Sequence, residues 1–82
     1  MINIALIGLG RIGQMHGENL ILHSDYNLKY VFDVDEKLTN KISKKFNSKA
    51  INNPRIAFKD EGIDAIFIAS STSTHIKLIE EA

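Results

Sequence analysis

Gly8, Gly10 and Gly13 stand in the pattern G-x-G-x-x-G, and Asp33 lies 20 residues past the last of them. Where such a pattern links a strand to a helix, each glycine has a physical task. The first permits a tight turn, the second lets a pyrophosphate approach the backbone, and the third lets the helix pack closely on the strand. The helix start then offers unpaired N–H groups and a partial positive charge to the phosphates. An acid at the position of Asp33 accepts hydrogen bonds from the adenosine ribose hydroxyls. Plainer uses exist for the same residues: a structural turn for the glycines and a strand-end cap for the carboxylate. Arg11 in the loop can face the pyrophosphate or solvent, and the motif requires no charge there.

The surrounding elements decide between these uses. Residues 2–7 form an apolar, isoleucine-rich run ended by glycine, which reads as a buried parallel strand. A helix follows to about His23, with Ile12, Met15, His16 and Leu20 predicted on its inner face. Residues 28–33 form a second strand, and Asp35 can cap a helix whose inner face carries Leu38, Ile42 and Phe46. Residues 49–51 suggest a short third strand, and Pro54 a brief helix to about Asp60 ended by Gly62. Residues 63–69 form a fourth strand. Ser70, Ser71 and Thr72 belong to a polar loop, with Thr74 capping a final helix over residues 75–82. Strands alternating with helices predict an α/β fold: a Rossmann-like parallel sheet of about four strands, helices on both faces, with an incomplete second half.

Composition narrows the chemistry. The chain has 82 residues, ten of them basic and ten acidic, so one domain at most and no net charge to attract nucleic acid or an anionic membrane. It has no cysteine, and its three histidines, His16, His23 and His75, lack zinc-ligand spacing. No metal site is expected. The longest apolar run, residues 65–69, is too short to span a bilayer. No basic segment precedes the first strand, so a cytoplasmic protein without a signal peptide is expected.

With these residues in place, the chain resembles the Gfo/Idh/MocA oxidoreductases, which include glucose–fructose oxidoreductase and inositol 2-dehydrogenase. Three stretches carry the likeness: residues 7–13 with His16, Asn19 and Leu20; residues 31–35; and residues 63–75. Ser71 stands where many members have proline, and the Ser-Ser-Thr-x-Thr-His form looks more like the inositol dehydrogenase branch. The resemblance implies hydride transfer between nicotinamide and a sugar or cyclitol hydroxyl; a homo-oligomer is also expected. It implies cofactor contacts from Gly8, Gly10, Arg11, Ile12, Gly13, Asp33, Ser70, Ser71, Thr72 and His75. The family's catalytic lysine, in a Glu-Lys-Pro motif, and its catalytic aspartate and histidine would lie beyond Ala82. Lys77 is not that lysine. Residues 1–82 are therefore expected to be a cofactor-binding domain fragment with no catalytic residue of its own, inactive alone.

NAD is expected over NADP, because Asp33 followed by Val34, Asp35 and Glu36 leaves a 2′-phosphate no arginine. Two other classes compete. One is a non-catalytic Rossmann module that senses NAD(H) and regulates a partner. The other is an S-adenosylmethionine-dependent methyltransferase, which usually carries an acid just before the first glycine, where this chain has Ala5-Leu6-Ile7. The fourth strand is expected to be an apolar sheet edge that invites self-association.

Overall fold

In the computed structural model, residues 1–69 are described in full and the strand Thr74–Leu78 as backbone. β1 (Ile2–Ile7) leads through the glycine turn into α1 (Arg11–Ile21). β2 (Tyr26–Phe32), α2 (Glu36–Phe46), β3 (Lys49–Ala50), α3 (Arg55–Lys59), β4 (Ala65–Ala69) and β5 (Thr74–Leu78) follow. Among the described residues the sheet has five strands in the order β3-β2-β1-β4-β5. The first four are parallel, as expected of a Rossmann-like sheet.

Strand alternation divides the core into two layers. Ile4, Leu6, Leu28, Val31 and Ala65 pack with Leu20 of α1 and Ile42 and Phe46 of α2 on one face. Ala5, Tyr30, Ile63 and Ile66 pack with Ala57 of α3 on the other. Helices thus cover both faces, and the chain reverses its winding between β3 and β4. The C-terminal ends of β1 and β4 meet at that reversal, which is where open α/β sheets bind ligands.

α1 is turned relative to the expected face. Gly13, Gly17 and Leu20 are its buried residues, at i, i+4 and i+7, whereas Met15 is 54% exposed. The reason is close approach: small residues let the helix sit down on the sheet and on α2. A Cβ on Gly17 would overlap the Phe46 ring, with Cζ at 2.9 Å. His16 is half-buried as expected, its ring meeting the edge of Phe67 at a centroid distance of 6.0 Å. α2 is capped at both ends. The Asp35 side chain accepts from the Leu38 N–H at 3.2 Å, and Asn47 closes the helix in the left-handed conformation at φ 52°.

Of the final helix expected over residues 75–82, the described residues 75–78 are not helical. Thr74–Leu78 is a strand that pairs antiparallel with all of β4, from Ala65↔Leu78 to Ala69↔Thr74. An isolated helix of that length is marginal, since nucleation is costly and few hydrogen bonds follow. The open side of β4 instead offers a row of backbone donors and acceptors for a pairing strand. β4 is therefore interior, and β3 and β5 are the edges. The apolar-edge basis for self-association is thereby removed.

A register shift at Ile4/Ala5 leaves Lys29 without a partner on β1. Lys29 and Tyr30 then converge on one carboxylate, Asp60 Oδ2, at 2.7 and 2.5 Å. This contact ties β2 to the turn after α3. The hydrogen bond from Lys29, then those from Tyr30 and the Gly62 N–H, holds the Asp60 carboxyl at about 2, below its ordinary 3.8. The hydrogen bond to Asp60 raises both Lys29 and Tyr30 above their ordinary 10.5 and 10.0.

The sign of the pH dependence follows by linkage. Asp60's contribution is complete above pH 3.8 and is lost as pH falls toward about 2. The Lys29 and Tyr30 contributions are complete below their ordinary values and are lost as pH rises through the raised ones. Urea midpoints measured across the acid window should fall less steeply for Asp60→Asn than for the unmodified chain. Parallel curves would remove Asp60 from the acid response.

Candidate functional site

The glycine loop is held by contacts that its own sequence makes possible. At the end of β1, Gly8 adopts φ 94°, and its N–H donates to the Phe32 carbonyl at 2.7 Å. A Cβ there would be strained and would overlap the Ala69 carbonyl oxygen, with Ala69 C at 3.1 Å. A Cβ on Gly13 would overlap the Gly8 carbonyl oxygen and lie 2.9 Å from its carbon. Gly8, Gly13 and Ala69 thus bring the ends of β1 and β4 and the first turn of α1 into backbone contact. Gly10 is different. It is exposed, it caps α1, and a Cβ there would meet nothing within 4 Å.

Leu9 fastens the loop between these glycines. Its side chain is fully buried in the α1–α2 layer. Its carbonyl accepts from Gln14 Nε2 at 3.0 Å, and its N–H donates to Asp33 Oδ2 at 2.8 Å. Asp33 Oδ1 accepts in turn from the Asp35 N–H at 2.9 Å. A carboxylate offers about four acceptor positions, so two remain for a ligand. Asp33, the acid expected to read a ribose, is therefore also the acceptor that holds the loop. The spacing of the motif predicts the first task and is silent on the second.

Two clefts meet at Asp33. One, of about 440 Å³, is lined by Gly8, Gly10, Arg11, Ile12, Gly13, Asp33 and Ala69. The other, of about 470 Å³, runs between the ends of β2 and β3, past Phe32, Val34, Glu36, Thr39, Asn40 and Asn52. Together they form a groove along the C-terminal edge of the sheet. Arg11 is exposed at its rim and Ile12 is half-buried. Ser70, Ser71 and Thr72 lie outside the described residues. His75 is described as backbone only. It stands in β5 opposite Ile68, not at a helix start.

Thr39, Val34, Asn40 and Asn52 join the groove without having been singled out by the motif. Thr39 did leave a signal, because Thr39, Ile42 and Phe46 keep the i, i+3, i+7 rhythm of the buried face of α2.

The residues present fit a dinucleotide. No side chain caps the N-terminus of α1 and no acid sits in its first turn, so its donors face the cleft without local competition. Gly10 leaves the approach clear. Among the described residues no cluster of three or more His, Cys, Asp or Glu is arranged to hold a metal ion, and no helix is long and apolar enough to cross a membrane.

Comparison with known proteins agrees with this geometry. Residues 2–82 match the profile of the oxidoreductase family, NAD-binding Rossmann fold. A myo-inositol 2-dehydrogenase of Thermotoga maritima is 39% identical over 77 residues, which is 93% of this chain and 23% of that protein. The scyllo-inositol 2-dehydrogenase (NAD(+)) of Bacillus subtilis is 31% identical over 99% of this chain and 24% of its own length. The crystal structure of a probable dehydrogenase from Thermotoga maritima superposes with a TM-score of 0.79 at 38% identity, covering 87% of this chain and 22% of that one. The chain thus spans about a quarter of the length of the curated relatives it matches.

The three glycines should separate under substitution. Gly13→Val and Gly8→Val each force backbone apart and should lower stability by several kcal/mol, above the roughly 1–3 kcal/mol typical of overpacking. Gly10→Val should stay within about 1 kcal/mol, the scale of an altered cap. Thermal melts of the three variants check this, and equal losses would mean that Gly10 is as enclosed as the others.

Proposed function

Because this chain belongs to the Gfo/Idh/MocA oxidoreductases and matches their NAD-binding Rossmann fold, we propose that it is the cofactor-holding domain of an NAD-dependent dehydrogenase that oxidises a cyclitol or sugar hydroxyl. The observation that carries this reading is the open start of α1 at Gly10, where no side chain bonds the helix N–H groups, with the Asp33 carboxylate at the junction of the two clefts. The N–H groups of residues 10–13 bind the pyrophosphate, and Gly8 and Gly13 hold that turn in place. Asp33 accepts from the adenosine ribose. Arg11 and Ile12 line the phosphate cleft, and the family resemblance assigns further cofactor contacts to Ser70, Ser71, Thr72 and His75. When bound, the nicotinamide supplies the hydride acceptor. The residues that hold substrate and move its proton belong to a separate catalytic domain. The inositol dehydrogenases among the relatives support the cyclitol assignment.

Charge around the second cleft supports NAD over NADP. Asp33 and Glu36 line it, and none of its described lining residues is Lys or Arg. A 2′-phosphate there would face carboxylates with no guanidinium to pair with it. A hydrogen bond to a charged group contributes roughly 1.5–3 kcal/mol, so NAD should bind about tenfold to a hundredfold more tightly than NADP. Competitive calorimetric titration measures the ratio. Asp33→Asn should bring it toward unity, chiefly by weakening NAD. Equal affinities in the unmodified chain would show that Asp33 does not read the ribose. Gly10→Val, although folded, should lose NAD binding.

The isolated chain should form no NADH from myo- or scyllo-inositol, because hydride transfer requires both reactants held in attack geometry. Absorbance at the reduced-nicotinamide band, compared with a protein-free control, is the check. Reproducible turnover would place catalytic groups within residues 1–82.

A further inference from the structure

The buried polar side chain of the described core is Thr39, only 3% exposed. A buried hydroxyl is costly unless it is hydrogen-bonded, and this one is used fully at a single place. The Asp33 N–H donates to Thr39 Oγ1 at 2.9 Å. The hydroxyl has the Asp33 carbonyl at 3.0 Å and the Asp35 carbonyl also at 3.0 Å as acceptors for its one proton. The Asp35 carbonyl already accepts the Thr39 N–H at 2.9 Å, so the hydroxyl proton is best used on Asp33.

Asp33 sits one residue past the end of β2, where the sheet ladder no longer serves its backbone. Thr39 replaces that ladder on both its N–H and its carbonyl. With both peptide groups held, the carboxylate is aimed at the Leu9 and Asp35 N–H groups. A chain of contacts therefore runs from the buried face of α2 through Asp33 into the glycine loop. Thr39 also lines the second cleft beside Asp33.

We infer that Thr39 is a positioning residue for cofactor choice: it fixes the Asp33 backbone so that one carboxylate holds the glycine loop and presents its remaining lone pairs to the ribose. The inference rests on the dinucleotide reading above. Without the hydroxyl, the Asp33 carboxylate can rotate out of register. NAD then loses an oriented acceptor, while NADP loses an enforced repulsion, so the ratio of their affinities contracts. Loss of packing alone would not do this, because valine fills nearly the same volume as threonine.

The test uses the 82-residue chain and its Thr39→Val and Thr39→Ser variants. NAD and NADP are titrated separately by calorimetry at a temperature well below each melting point. The amide exchange of Leu9 and of Ile66, which lies in the opposite layer, is followed by NMR. Thr39→Val should bind NAD about tenfold more weakly, with NADP changed much less, and should lose Leu9 protection while Ile66 keeps its own. Thr39→Ser should restore the unmodified ratio to within about threefold, since it keeps the hydroxyl. A folded Thr39→Val with the unmodified NAD-to-NADP ratio would overturn the inference while leaving NAD binding intact. So would a Thr39→Ser that behaves like Thr39→Val. Failure of the unmodified chain to bind NAD would overturn the dinucleotide reading and this inference with it.

Discussion

Three stretches of backbone meet at one point with no room for a side chain between them. The turn after β1, the end of β4 and the first turn of α1 touch through Gly8, Ala69 and Gly13. Had any of these approaches been looser, α1 could not lie with Gly13, Gly17 and Leu20 against the sheet and α2. The two halves of the winding would then part at the very edge where the groove forms. The Gly8 N–H still donates to the Phe32 carbonyl, so the turn stays bonded to β2, and the positive φ of Gly8 redirects the chain immediately after that bond. A close-packed interior transmits such constraints, because it has no slack to absorb a displaced helix.

From this point outward the site is assembled by hydrogen bonds to a few side chains. Leu9 is anchored in three ways, by burial, by Gln14 and by Asp33. Asp33 is anchored by Thr39. Each link satisfies a backbone group that neither helix nor sheet could serve, in a part of the chain where an unmet donor or acceptor would cost about 1–3 kcal/mol. Order at the loop is therefore a consequence of completing the hydrogen-bond inventory of the strand ends.

The parts of this arrangement legible in the sequence were those set by period and by glycine chemistry. Alternation and apolar runs revealed β1, β2 and β4, Asp35 revealed the start of α2, and Gly8, Gly10 and Gly13 revealed the turn between β1 and α1. Three features escaped for identifiable reasons. Apolar periodicity on α1 favoured Met15, because a pattern built on large residues gives glycine no weight, yet Gly17 is what permits contact with Phe46. Residues 74–78 combine a good capping threonine with helix-compatible neighbours, and only the hydrogen-bonding demand of β4, a tertiary effect, makes Thr74–Leu78 a strand. The double duty of Asp33 was equally invisible, because it depends on which N–H groups the loop leaves unpaired and not on residue spacing.

The groove separates two kinds of recognition. Under the proposed function, phosphate binding would rely on main-chain donors at the start of α1 and on the absence of a side chain at Gly10. In the same proposal, choosing between ribose and ribose phosphate would rely on the Asp33 carboxylate, whose backbone is held from behind by the Thr39 hydroxyl of α2. Affinity and selectivity can therefore change independently. On that reading, a substitution at the loop would alter how well any dinucleotide is held, and one on the Asp33–Thr39 axis would alter which one. The structural cost of that independence is a buried hydroxyl on an otherwise apolar helix face, and it is offset only because both backbone groups of Asp33 need a partner there.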